Sequence, residues 1–163
     1  MLSTLRSSKK QTYQERADRL TKTIDIAETV IKLSDTLSED RRSRMLQWGQ
    51  QVKHMALNPE PQFKRLASLK YLENDFLTYW NEASGPDVER FWLTVGNSGI
   101  DFERKDILKA ILTRRRIKDI HEYDYVIDSI VVAEQLGKIN VEQVVELNKY
   151  LGEFEERNAS KNL

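Results

Sequence analysis

The sequence predicts an all-α fold: a compact bundle of six to seven helices, forming one domain or two packed helical lobes. Three observations carry that prediction. Apolar residues recur at steps of three and four along almost the whole chain. Only six Gly and three Pro interrupt 163 residues. Charged residues make up 32%, as helices with one buried stripe and a solvated remainder require.

Residues 1–11 read as a flexible N-terminus. Tyr13, Ala17, Leu20, Ile24, Ala27 and Ile31 then form a single stripe, giving a first helix over residues 12–34. Thr36-Leu37-Ser38-Glu39 is a stop and restart, in which Thr36 and Glu39 make a capping box or Ser38 caps alone. The second helix runs from Glu39 to Leu57 and is expected to bury Met45, Val52, Met55 and Ala56, with Trp48 nearby. Asn58-Pro59-Glu60-Pro61 breaks it, and Pro61 suits a first helical position. Phe63, Leu66, Leu69, Leu72, Phe76, Tyr79 and Trp80 give a third helix one apolar face, which ends near Ser84-Gly85-Pro86. A short fourth helix from Asp87 to Val95 carries Val88, Phe91, Trp92 and Val95. Trp80, Phe91 and Trp92 are expected at its junction with the third. Gly96-Asn97-Ser98-Gly99 is the clearest breaker, dividing a lobe at 12–95 from a lobe at 100–157.

Ile107, Leu108, Ile111 and Leu112 mark a fifth helix that closes on Arg114, Arg115 and Arg116. Ile120, Tyr123, Ile127, Ile130, Val131 and Leu136 mark a sixth, with Gly137 as its stop. Ser129-Ile130-Val131-Val132 is β-branched enough for a strand, but the surrounding period favours helix. Asn140 caps a last helix with Val141, Val144, Val145, Leu147, Leu151 and Phe154, which fades at Glu155-Glu156-Arg157 and leaves 158–163 as a tail.

Composition removes several function classes. The absence of Cys excludes a disulfide scaffold, a thiolate zinc site and a Cys nucleophile. No apolar run reaches the roughly 18–20 residues of a membrane span, and Met1 to Lys10 lack the apolar core of a secretory signal, so a cytoplasmic setting is expected. Dinucleotide and P-loop motifs are missing, and neither Ser98 nor Ser129 sits in a nucleophile elbow. The loop between Gly96 and Gly99 lacks the basic residue of a loop that clamps nucleic-acid backbone. No catalytic residue, no cofactor and no metal centre is therefore assigned.

One constellation bears on metal or acid–base chemistry. His121, Asp124, Tyr125 and Asp128 share a helix face and, with Glu103, Asp106 or Glu142, would support a metal-dependent enzyme centred on His121. The plainer reading is a solvated face opposite a stripe of Ile120, Ile127 and Ile130. His54, beside Val52 and Met55, reads as a structural histidine.

Charge is the stronger signal. Twenty-six Lys plus Arg balance 26 Asp plus Glu, which disfavours a polycationic nucleic-acid binder. The balance is a sum of opposed blocks. Residues 1–57 hold eleven basic and seven acidic residues, residues 100–118 seven and three, and residues 119–163 four and ten. The acidic block points to a small non-catalytic protein-interaction module. Its partner surface would comprise Asp119, Glu122, Tyr123, Asp124, Tyr125 and Asp128, and an immunity or antitoxin-like inhibitor is one concrete form. Tyr123 and Tyr125 cannot both face inward on a helix, so one is expected in contact with solvent. The alternative is a nucleic-acid-binding regulator using Arg41, Arg42, Arg44, Arg114, Arg115 and Arg116. The last three sit favourably at a helix C-terminus, whereas the first three run against the dipole of their own helix.

Overall fold

The computed structural model describes residues 11–161. Among them are seven α-helices, one 3-10 turn and no strand. The helices are α1 (Tyr13–Leu33), α2 (Glu39–Leu57), α3 (Leu66–Glu82), α4 (Pro86–Asn97), α5 (Ile107–Arg114), α6 (Ile120–Gln135) and α7 (Val141–Lys161), with the turn at Pro61–Phe63. The all-α class is as the sequence predicts, and residues 129–132 are helical. The expectation of a flexible N-terminus lies outside the described residues except at Gln11.

Local chemistry explains most of the boundaries. Thr12, Ser38, Asp106 and Asp119 each accept a backbone N–H of the following first turn, the donors being Glu15, Arg41, Lys109 and Glu122. Ser38 thus caps α2 alone. Asn140 and Gln143 exchange side-chain-to-backbone bonds at 2.9 and 2.8 Å, a reciprocal capping box that opens α7. Gly99 and Gly137 take positive φ, 71° and 72°, where the chain leaves α4 and α6.

The chain divides into two units. The first takes residues up to Thr78 together with Pro86–Glu103. The second takes Tyr79–Gly85 and everything from Arg104 onward. The turn between Gly96 and Gly99 therefore lies within the first unit.

In the first unit α1 packs on both α2 and α4. The α1–α2 pair is an antiparallel hairpin. Tyr13 Oη donates to the Ala56 carbonyl at 2.8 Å at one end, and Arg42 reaches the carbonyls of Ile31 and Lys32 at the other. Lys53 pairs with Asp25 at 2.9 Å between these ends. Gly49 permits the close approach, since a Cβ there would lie 3.3 Å from Ile24 Cγ2. Ala17, Leu20, Ile24, Val52, Ala56, Leu69, Val88, Phe91 and Val95 are buried. A buried Glu73 on α3 receives Arg16 at 2.8 Å and Arg19 at 3.1 Å, and Arg19 also lies 4.1 Å from the centre of the Phe102 ring. Ser34 and Thr36 donate to Asp87 Oδ2 at 2.6 and 3.1 Å, tying the α1–α2 turn to the start of α4.

In the second unit α7 packs on α5 and α6. Its core joins Leu108, Ile111, Ile117, Val126, Ala133, Ile139, Leu147, Tyr150, Leu151 and Phe154. Asn81 Oδ1 accepts the Lys105 N–H at 2.8 Å, which anchors the entry to α5.

Several packing expectations are corrected. Trp48 and Met55 on α2 are exposed; Gly49, Val52 and Ala56 are the residues turned inward. Pro61 opens the short 3-10 turn, α3 starts only at Leu66, and Phe63 and Leu66 are exposed. The α6 stripe is the largest correction. Ile120, Ile127, Val131 and Leu136 are exposed, and the buried line is Glu122, Val126, Ser129 and Ala133. Helix α6 is apolar on several sides, so periodicity alone does not select the inward one. The final helix runs on through Lys161, with Arg157 donating to the Ile117 carbonyl at 2.6 Å and lying over the Phe154 ring.

Candidate partner-binding face

The rotation of α6 is set at its first turn. Asp119 caps the helix by accepting the Glu122 N–H at 2.9 Å. The Glu122 carboxylate turns inward, where Arg114 donates to both oxygens at 2.7 and 3.1 Å and the Lys118 N–H donates to Oε1 at 2.9 Å. With 9% of its surface exposed, Glu122 is one of the few buried carboxylates. Buried polar groups need partners, and this one has three donors. Residues one helical turn on, Val126, Ser129 and Ala133, follow it into the unit.

The two tyrosines of the acidic segment are both half-buried. Tyr123 stacks on Phe154 at 5.1 Å between ring centres and donates its hydroxyl to Glu155 at 2.5 Å. That hydrogen bond, followed by some burial and the nearby charges of Glu155 and Asp124, raises the Tyr123 phenol above its ordinary value. Tyr125 packs at the margin of the core cluster.

What remains on the outside of α6 is an acidic and apolar mixture. Ile120, Asp124, Ile127 and Val131 follow one another at i, i+4, i+7 and i+11, the line opposite Glu122 and Ala133, with Asp128 beside it. Asp124 and Asp128 are exposed and have no hydrogen-bond or ion-pair partner among the described residues. Ile127 is 49% exposed and Val131 63%. Beyond the turn at Gly137, Val141 and Val145 at the start of α7 are exposed as well. Of the six predicted partner-binding residues, the structure thus places Asp124 and Asp128 together on the open surface. Asp119 and Glu122 are used in fixing the helix, and Tyr123 and Tyr125 lie along its flanks. The exposure of Ile127 and Val131 escaped the sequence reading, which placed both on the apolar stripe of this helix. The spacing of Glu122, Val126, Ser129 and Ala133 was the available signal.

Two of the candidate arginines, Arg42 and Arg114, hold structural contacts. Arg42 donates to the carbonyls of Ile31, Lys32 and Ser34 at the C-terminal end of α1 and to that of Leu37 in the turn before α2, and pairs with Glu39 at 3.4 Å. Its position against the dipole of α2 is explained by the preceding helix, whose last carbonyls it satisfies. Arg44 pairs with Asp40 at 3.7 Å. Arg114 holds Glu122 and also donates to the Arg116 carbonyl at 2.9 Å, while Arg115 ends α5 in a left-handed conformation, φ 64°. Arg41, Arg42 and Arg44 belong to the first unit, and Arg114, Arg115 and Arg116 to the second.

Among the described residues no group of three or more His, Asp or Glu side chains is placed to hold a metal ion, at His121, Asp124 and Asp128 or elsewhere. His54 Nδ1 lies 3.4 Å from Asn58 Nδ2 at the end of α2, in a local structural setting. An open depression over Ser43, Leu46, Gln47, Gln50 and Gln51 of α2 carries no titratable lining group. No helix among the described residues is long and apolar enough to cross a membrane. Comparison of the chain with family models, curated proteins and solved structures gives no match in any of the three.

Proposed function

We propose that the chain is a non-catalytic protein-interaction module whose contact surface is the outward face of α6. One observation carries the reading. Asp124 and Asp128 are exposed and without partners among the described residues, whereas the prominent arginines Arg42 and Arg114 are engaged inside their own units. An unpaired acidic surface steers a cationic partner and discriminates against acidic ones. Carriage of such a face on a helix locked by Glu122 costs little reorganisation on binding. An immunity or antitoxin-like inhibitor, acting in the cytoplasm on a cationic protein, is one concrete form of this role. The nucleic-acid reading is the weaker one, because Arg42 and Arg114 already spend their donors on carbonyls and on Glu122.

The test is affinity capture from the native host with the wild type and with Asp124→Lys plus Asp128→Lys. A partner held by the wild type and lost by the double variant supports the reading. A partner retained by both sinks it.

A further inference from the structure

We infer that the occupant of the α6 face is a cationic amphipathic helix, which lays an apolar stripe over Ile127 and Val131 and sets Lys or Arg beside Asp124 and Asp128. This rests on the interaction-module reading and adds the partner's chemistry. The polarity of α6 is the starting point. A surface helix ordinarily turns its aliphatic side chains inward, yet α6 buries a glutamate and a serine while Ile120, Ile127 and Val131 occupy its outermost line. The burial of Glu122 is matched by Arg114 and Lys118, so the rotation is held in place rather than free to reverse. No described residue covers the three aliphatic side chains, and clustered exposed apolar residues rimmed by charge mark contact sites.

Charge then selects among the occupants. A second copy joined through a two-fold α6–α6 contact would bring Asp124 and Asp128 against the same carboxylates of its partner, and α6 carries no Lys or Arg to offset them. An acidic peptide meets the same repulsion. A helix with aliphatic residues at i, i+3, i+4 and i+7 flanked by Lys or Arg matches both features, the apolar line and the two carboxylates. Recognition of an amphipathic helix by an apolar surface with complementary rim charges uses both terms together.

The probes are three synthetic peptides of about 18 residues, long enough for five helical turns. One is a Leu/Lys amphipathic helix, one a Leu/Glu helix of the same pattern, and one an oligolysine of equal charge. Fluorescence anisotropy measures binding to the full chain, to Ile127→Gln plus Val131→Gln, and to Asp124→Asn plus Asp128→Asn. Gln keeps helix propensity, and circular dichroism checks that both variants stay folded. The Leu/Lys helix is expected to bind, to weaken about tenfold or more in the Gln pair and about fivefold in the Asn pair, and to leave the Leu/Glu helix unbound. Equal binding of oligolysine and the Leu/Lys helix overturns the apolar contact while the acidic-surface reading stands. Equal binding of the Leu/Glu helix overturns the charge selection. If no peptide binds and sedimentation shows self-association abolished by the Gln pair, a second copy covers the face and the inference fails. Absence of both binding and self-association also refutes it.

Discussion

Arg114 and Glu122 are joined by two hydrogen bonds, Nη1 to Oε1 at 2.7 Å and Nη2 to Oε2 at 3.1 Å, across the turn between α5 and α6. The Lys118 N–H completes the carboxylate's environment. Removal of the carboxylate leaves the Lys118 N–H and Arg114 Nη2 without their acceptor, while Nη1 keeps the Arg116 carbonyl. Glu122→Ala is expected to lower unfolding stability by about 2 kcal/mol and Glu122→Gln by about half of that. Arg114, about one third exposed, can recover water, so Arg114→Ala is expected to cost nearer 1 kcal/mol. Urea denaturation measures all three, and a cost for Glu122→Ala no greater than for an exposed acid such as Asp75→Ala would contradict the role given to this pair.

Arg42 closes the C-terminal end of α1 through the carbonyls of Ile31, Lys32 and Ser34, and the following turn through that of Leu37. A planar guanidinium can serve several carbonyls at once, and an ammonium cannot hold the same fork. Arg42→Ala is expected to destabilise by about 2 kcal/mol and Arg42→Lys by about 1 kcal/mol. Equal stability of Arg42→Lys and the wild type in thermal or urea unfolding would mean that charge alone matters there.

Arg115 is the only non-glycine residue with positive φ among those described, at 64°. It ends α5, a place where glycine carries no Cβ penalty. Arg115→Gly is expected to stabilise the chain by about 0.5–1 kcal/mol, and Arg115→Val to destabilise it. A loss of stability in the glycine variant would assign the Arg115 side chain a contact beyond capping.

The Tyr123 phenol is raised above the usual tyrosine value of about 10, chiefly by its hydrogen bond to Glu155. A group whose value is higher in the folded state contributes stability fully below its unfolded value. That contribution is lost as pH climbs through the folded one. The wild type is therefore expected to lose more stability above about pH 10 than Tyr123→Phe does. Absorbance titration of the phenols should show one late-ionising tyrosine fewer in the variant. Identical alkaline profiles would remove the Tyr123–Glu155 bond from the folded state.

Helices and their caps were largely legible in the sequence because they depend on near neighbours. Ser38, Asn140 and Gly137 act locally, and each does what its type and position imply. Facing was legible only where one side of a helix was apolar. On α1 the line of Ala17, Leu20, Ile24 and Ala27 is buried as expected. On α6 it failed, because aliphatic residues surround the helix and the deciding contact, Arg114 to Glu122, joins a basic run to an acid eight residues away. The same pairing joins two of the candidate binding residues, Arg114 and Glu122, to each other. Asp124 and Asp128 were readable as a shared face because they stand four residues apart on one helix.

Charge reversal on the outer line of α6 tests the central claim most directly. The full chain, Asp124→Lys plus Asp128→Lys, and a control with the same charge change, Asp35→Lys plus Asp75→Lys, are used in parallel as bait in the native host's extract. The double variant on α6 is expected to lose a partner that both the wild type and the control retain, with helix content and melting unchanged. Retention of every partner by the α6 variant, or equal losses from both variants, would contradict an interaction surface on this helix.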